Sequence, residues 1–205
     1  MNQPGINSSA MGAGERKPPH IPGEAELWIF ILGDLVIFGL FFAIWGWNHA
    51  SQPALFAEGG AQMSWAIGLA NTLVLITSSA AVAAGLTLVR QGQGTAARRA
   101  YQLAAALGGT FVVLKVVEYS QHILAGASAL NNVFFMYYFV FTGIHLLHVL
   151  VGIGALLLVI RRCRQLQPNT PPGERDVAFL EGIGVFWHLV DLLWIVLFFL
   201  IYLAS

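Results

Sequence analysis

The sequence predicts an all-α integral membrane bundle of five transmembrane helices, on three observations. Hydrophobic residues make up 57% of the 205 positions, charged residues only 10%, and mean hydropathy is +0.71. A soluble domain carries roughly 25% charged residues, so this chain is not built to face water. The apolar residues gather into five runs, each near the roughly 20 residues that cross a bilayer as a helix. The basic residues fall on one side once those runs alternate in direction. Zero net charge excludes bulk attraction to nucleic acid. The single Cys163 excludes an intrachain disulfide.

Residues 1–25 form a polar, Pro/Gly-containing segment without the apolar core of a signal peptide. It reads as a flexible cytoplasmic tail preceding one membrane domain, 26–205. The first run, 27–47, is strongly apolar but contains Asp34. The second, 64–88, holds Asn71, Thr77 and the Ser78–Ser79 pair, which read as glue between helices. The third, 101–119, is rich in Ala and Gly, and the fourth, 133–160, carries two histidines. The fifth, 177–203, carries Glu181, His188 and Asp191. Each must be helical, because a helix satisfies its own backbone groups in lipid.

Arg16 and Lys17 precede the first run. Arg90, Arg98 and Arg99 lie between the second and third, and Arg161, Arg162, Arg164 and Arg175 between the fourth and fifth. Of the ten basic residues only Lys115 falls elsewhere, inside the third run. The positive-inside rule therefore puts the N-terminus in the cytoplasm and Ser205 in the periplasm. Trp45, Trp47 and Trp65 cluster near the opposite interface, as an aromatic belt does.

Ionisable groups within the spans are Asp34, Lys115, Glu118, His145, His148, Glu181, His188 and Asp191. Such groups mark function by default, and they face the bundle interior or another protein. Lys115 and Glu118 are three apart and can neutralise each other, with the lysine near enough to the outer end to snorkel. His145 with His148, and His188 with Asp191, are also i,i+3 pairs, all at middle depth on consecutive antiparallel helices. They predict one hydrogen-bonded layer that packs the fourth helix on the fifth. Two other readings stay open for them: haem or metal binding, since two His and a carboxylate can hold iron or zinc, and a proton relay. Against metal, no third histidine beyond His188 lies in the spans and no Glu-x-x-His motif repeats. Asp34 has only Phe30, Ile31, Ile37 and Phe38 at i±3 and i±4. It must stay protonated, meet a group on another helix, or face a partner. It is the candidate for proton handling, either for a partner enzyme or in a stand-alone transporter.

Several stretches together resemble subunit III of the haem-copper oxidases. They are "ELWIFILGDLVIFGLFFAIWGWNHAS" at 26–51, "NTLVLITSS" at 71–79, "VVEYSQH" at 116–122, "FTGIHLLHVLVG" at 141–152 and "FLEGIGVFWHLVDLLWIVLFFLIYL" at 179–203. Five helices resemble the quinol-oxidase form of that subunit and the NorE-type proteins associated with nitric oxide reductase; seven-helix members have two more at the start. The opening "PGE…LWIFILGD…FGLFF" looks most like the NorE branch. The resemblance implies a non-catalytic subunit of a respiratory enzyme in the bacterial inner membrane. It would hold no haem, copper or other metal and would aid stability and proton uptake of a catalytic partner. Asp34 aligns with the family's buried helix carboxylate, and His188 and Asp191 then read as structural. Phospholipid is the one implied ligand. Its cleft in seven-helix members involves the two helices this sequence does not show.

Overall fold

The computed structural model describes residues 25–130, 132–165 and 172–204. The tail lies outside them, apart from Ala25, which opens the first helix. The elements are α1 (Ala25–Ser51), α2 (Pro53–Gly60), α3 (Trp65–Arg90), α4 (Gly94–Leu124), α5 (Val133–Cys163) and α6 (Glu174–Phe198). A π-helical turn, Phe199–Leu203, continues α6. No strand occurs among the described residues. Five helices are long and apolar enough to cross a membrane: α1, α3, α4, α5, and α6 carried through its π turn. These are the five runs of the sequence.

Two elements depart from the expected bounds. Arg98 and Arg99, expected in a loop, lie in the first turns of α4. At 1.5 Å per residue that 31-residue helix measures about 46 Å, against a hydrocarbon core of roughly 30 Å. The excess length leaves room for its polar start to stay helical beyond the hydrocarbon. The short α2 was not foreseen. Pro53 opens it, where a missing N–H costs nothing and φ is already set.

The helix ends have local causes. Gly92 and Gly126 follow α3 and α4 with φ of 73° and 85°, a conformation that glycine adopts without a Cβ clash. At the first, Gln93 N–H donates to Leu88 O and Gly92 N–H to Val89 O; Ala127 and Gly126 repeat the pattern onto His122 and Ile123. These paired bonds satisfy carbonyls left free at a helix C-terminus. Asn132 caps α5, its Oδ1 accepting from Phe135 N–H at 2.9 Å.

α3 and α4 form the most extensive pair, and α6 packs on both α3 and α5. Half of the α6 span is buried but only 17% of α1, so α6 is the axis and α1 leans on the outside. Trp187 of α6 fills the angle between α4 and α5. A Cβ added at Gly108 or Gly152 would stand 2.8 or 2.7 Å from its ring. Both glycines are thus places where a helix backbone meets an indole face. Among its described side chains, α1 buries only Ile31, Asp34, Phe38 and Trp45, a stripe one side chain wide. Asp34 is the one polar member of that stripe.

Candidate functional site: a carboxylate and an imidazole sharing a proton

The stripe on α1 directs Asp34 at α5. Its Oδ1 lies 3.2 Å from His148 Nε2, and Phe38 sets its ring edge against the same imidazole at 5.7 Å. His148 Nδ1 stands 2.9 Å from the Ile144 carbonyl oxygen. A carbonyl only accepts, so Nδ1 carries a hydrogen. The Nε2–Oδ1 contact then needs one proton, and either the carboxyl or the imidazole can hold it. Both forms are neutral overall, so the pair can exist in hydrocarbon without an uncompensated charge. Asp34 Oδ2 is buried with no hydrogen-bond partner among the described residues. His148 keeps 17% of its side chain exposed. The pair is therefore coupled internally yet open on one side.

The expected layer between α5 and α6 is not there. Residues three apart on a helix diverge by about 60°, and here that angle separates His145 from His148. His148 turns to α1. His145 turns inward, packed against Phe111 and Trp194 at centroid distances of 5.7 and 5.3 Å, with neither ring nitrogen hydrogen-bonded among the described residues. His188 Nδ1 meets Ser79 Oγ of α3 at 2.5 Å, and that hydroxyl also lies beside Asp191. The histidines thus bind different helices. Among the described residues, no three His, Cys, Asp or Glu side chains converge where they could hold a metal ion.

Lys115 corrects a second expectation. It does not snorkel; its side chain is fully buried. Nζ donates to Glu118 Oε2 at 2.8 Å, Tyr202 Oη at 3.1 Å and Tyr138 Oη at 3.3 Å, and Tyr202 in turn donates to Glu118 Oε1 at 2.6 Å. The rings of Tyr119, Tyr138, Trp194 and Tyr202 lie 4.8–5.8 Å from the ammonium. Three hydrogen bonds exhaust what an ammonium can donate. This cluster ties α4, α5 and the π turn together, and its ammonium has no hydrogen left to donate.

With this geometry in place, the family can be read. A family model for cytochrome c oxidase subunit III matches residues 22–205. The chain belongs to that family. It is similar to cytochrome c oxidase subunit 3 of Thermostichus vulcanus, 32% identical over 183 residues that cover 87% of this chain and 86% of that protein. The Synechocystis sp. subunit is 31% identical, with 85% and 72% covered. The cytochrome bo(3) ubiquinol oxidase subunit 3 of Buchnera aphidicola is 26% identical, with 86% and 91% covered. The chain is thus a non-catalytic subunit III of the haem-copper oxidase type.

Within this subunit III, three features escaped the sequence. Tyr138 and Tyr202 were not assigned to Lys115, Ser79 was not assigned to His188, and Arg90 was not paired with Glu181, which it contacts at 2.6 Å. Depth was the available signal. Lys115, Tyr138 and Tyr202 all lie within about ten residues of the same end of their spans, and Arg90 and Glu181 share the opposite, Arg-rich end.

Proposed function

We propose that this subunit III supports proton entry into a haem-copper catalytic subunit, with Asp34 and His148 as the proton-exchanging pair. The carrying observation is the single proton that their contact requires, together with the exposed edge of His148. A group that holds a proton in either of two places at no net charge can pass it on without a solvated ion in the lipid. The reading takes the membrane to be a bacterial inner membrane with the Arg-rich ends in the cytoplasm, as the basic residues suggest. The subunit itself would carry no redox metal.

The test is turnover per recovered complex. Asp34→Asn keeps the size and removes the exchangeable carboxyl proton; His148→Gln removes the imidazole. Both should slow sustained turnover severalfold with normal recovery of the complex. Wild-type turnover in both variants would end the proton reading. The names of the relatives favour an oxidase as the partner, and the opening stretch favours nitric oxide reductase. Whether the co-purified enzyme consumes oxygen or nitric oxide decides between them.

A specific groove favours phospholipid as a ligand. An apolar cleft of about 400 Å³ between α1, α5 and α6 is lined by Leu27, Phe30, Val151, Ala155, Ile183 and Phe186. It shares Ala178 and Phe179 with a polar mouth bearing Arg161, Arg175 and the Arg162–Asp176 ion pair. Acyl chain and anionic headgroup would each find their complement. Loss of bound anionic lipid on Arg161→Gln with Arg175→Gln would support this site, and unchanged lipid content would remove it.

A further inference from the structure

His188 stands at the midpoint of the Glu174–Leu203 span, yet its ring is exposed on the outer surface of the bundle. Hydrocarbon offers an imidazole neither donor nor acceptor. Nδ1 is satisfied by Ser79; Nε2 makes no hydrogen bond among the described residues. Immediately beside the ring, the α3–α6 seam opens into a cleft of about 140 Å³. Val82, Ala83, Leu86, Gly184 and Val185 line it, and Arg90 and Glu181 close one end. Ala83 and Gly184 are small, which lets a neighbouring helix backbone come close in a membrane.

We propose that this face receives a transmembrane helix of the haem-copper catalytic subunit. That helix would insert one apolar side chain into the cleft and hydrogen-bond His188 Nε2 through a polar side chain at middle depth. The proposal rests on the partner reading given above. Lipid fits the cleft but leaves Nε2 unsatisfied. A second copy of this chain is a poorer complement, since two-fold symmetry sets the same concave cleft against itself. A foreign helix can supply both the side chain that fills the cleft and the missing hydrogen bond. The Ser79 hydroxyl holds the ring from behind through Nδ1 and leaves Nε2 on the exposed side.

The experiment uses the intact complex, with a photo-crosslinking amino acid introduced singly at Ala83, at Leu86, and at the exposed Leu40 of α1 and Val113 of α4. Adducts with the catalytic subunit from Ala83 and Leu86, and none from Leu40 or Val113, are expected. A companion variant, His188→Phe, keeps a ring and removes the hydrogen bond. It should reduce the catalytic subunit retained per recovered chain by about threefold to tenfold, the range for an interhelical hydrogen bond in a membrane. Adducts only from Leu40 or Val113 would overturn the docking face while leaving the partner reading intact. Adducts only with lipid or with a second copy, from a complex that still contains the catalytic subunit, would overturn it too. Absence of any catalytic subunit would overturn both readings together.

Discussion

The core of α4, α5 and α6 and the outlying helix α1 each hold a carboxylate paired to a base within the membrane, and the two sites are built on opposite terms. Around Lys115 all three ammonium hydrogens have acceptors, three helices contribute, and aromatic rings close the remaining directions. Around Asp34 one oxygen is unpartnered, two helices contribute, and the base is partly exposed. Burial follows the same division, with half of the α6 span covered and 17% of the α1 span. Closure makes the first site a fastening. Incompleteness leaves the second with the open acceptor that the proposed proton exchange needs.

The sharpest way to break this contrast is to strand the buried ammonium. Glu118→Gln keeps the shape and leaves Lys115 charged without its counter-ion, which should cost about 3–5 kcal/mol. The measure is the fraction of chain remaining monodisperse in detergent after heating. Adding Lys115→Met should restore most of the loss, because the stranded charge goes with it. Wild-type heat resistance in Glu118→Gln alone would show that the cluster fastens nothing.

Backbone contact should follow the same line with smaller effects. Gly152→Ala forces a methyl against Trp187 and should destabilise by about 1–3 kcal/mol, read in the same assay. On α1, Asp34→Asn should leave heat resistance within about 1 kcal/mol of wild type, since the amide still reaches His148. Its effect should appear in turnover instead; a variant that loses heat resistance and turnover equally would make Asp34 a fastening as well. The smallest effect belongs to Gly33→Ala, where a Cβ meets nothing within 4 Å. No change beyond about 0.5 kcal/mol is expected there, and a larger loss would mean that a partner covers this face of α1.

The spans were legible because lipid imposes one rule on every residue in them: long apolar runs survive as helices whatever they pack against. Asp34 stood out for the same reason, as an acid with no local partner. Its partner was not legible. His148 lies more than a hundred positions away, and nothing in the i,i+3 spacing with His145 says which of two diverging directions reaches α1. Lys115 was misjudged because snorkelling depends on what surrounds the stem, and the tyrosines that hold it come from two other helices. His188 and Asp191 did read as a pair on one face, but Ser79 of another helix stands between them.

The π turn at Phe199–Leu203 closes with Ala204 N–H donating to Phe199 O, five residues back. Such a turn accommodates one residue more than an α-helix would, and it sits immediately where Tyr202 must reach Glu118. Removing a single residue between 199 and 203 would restore ordinary helical register and swing the phenol about 100° around the axis, away from both carboxylate and ammonium. The phenol itself is one requirement of this stretch. The count of residues that carries it to the carboxylate is another.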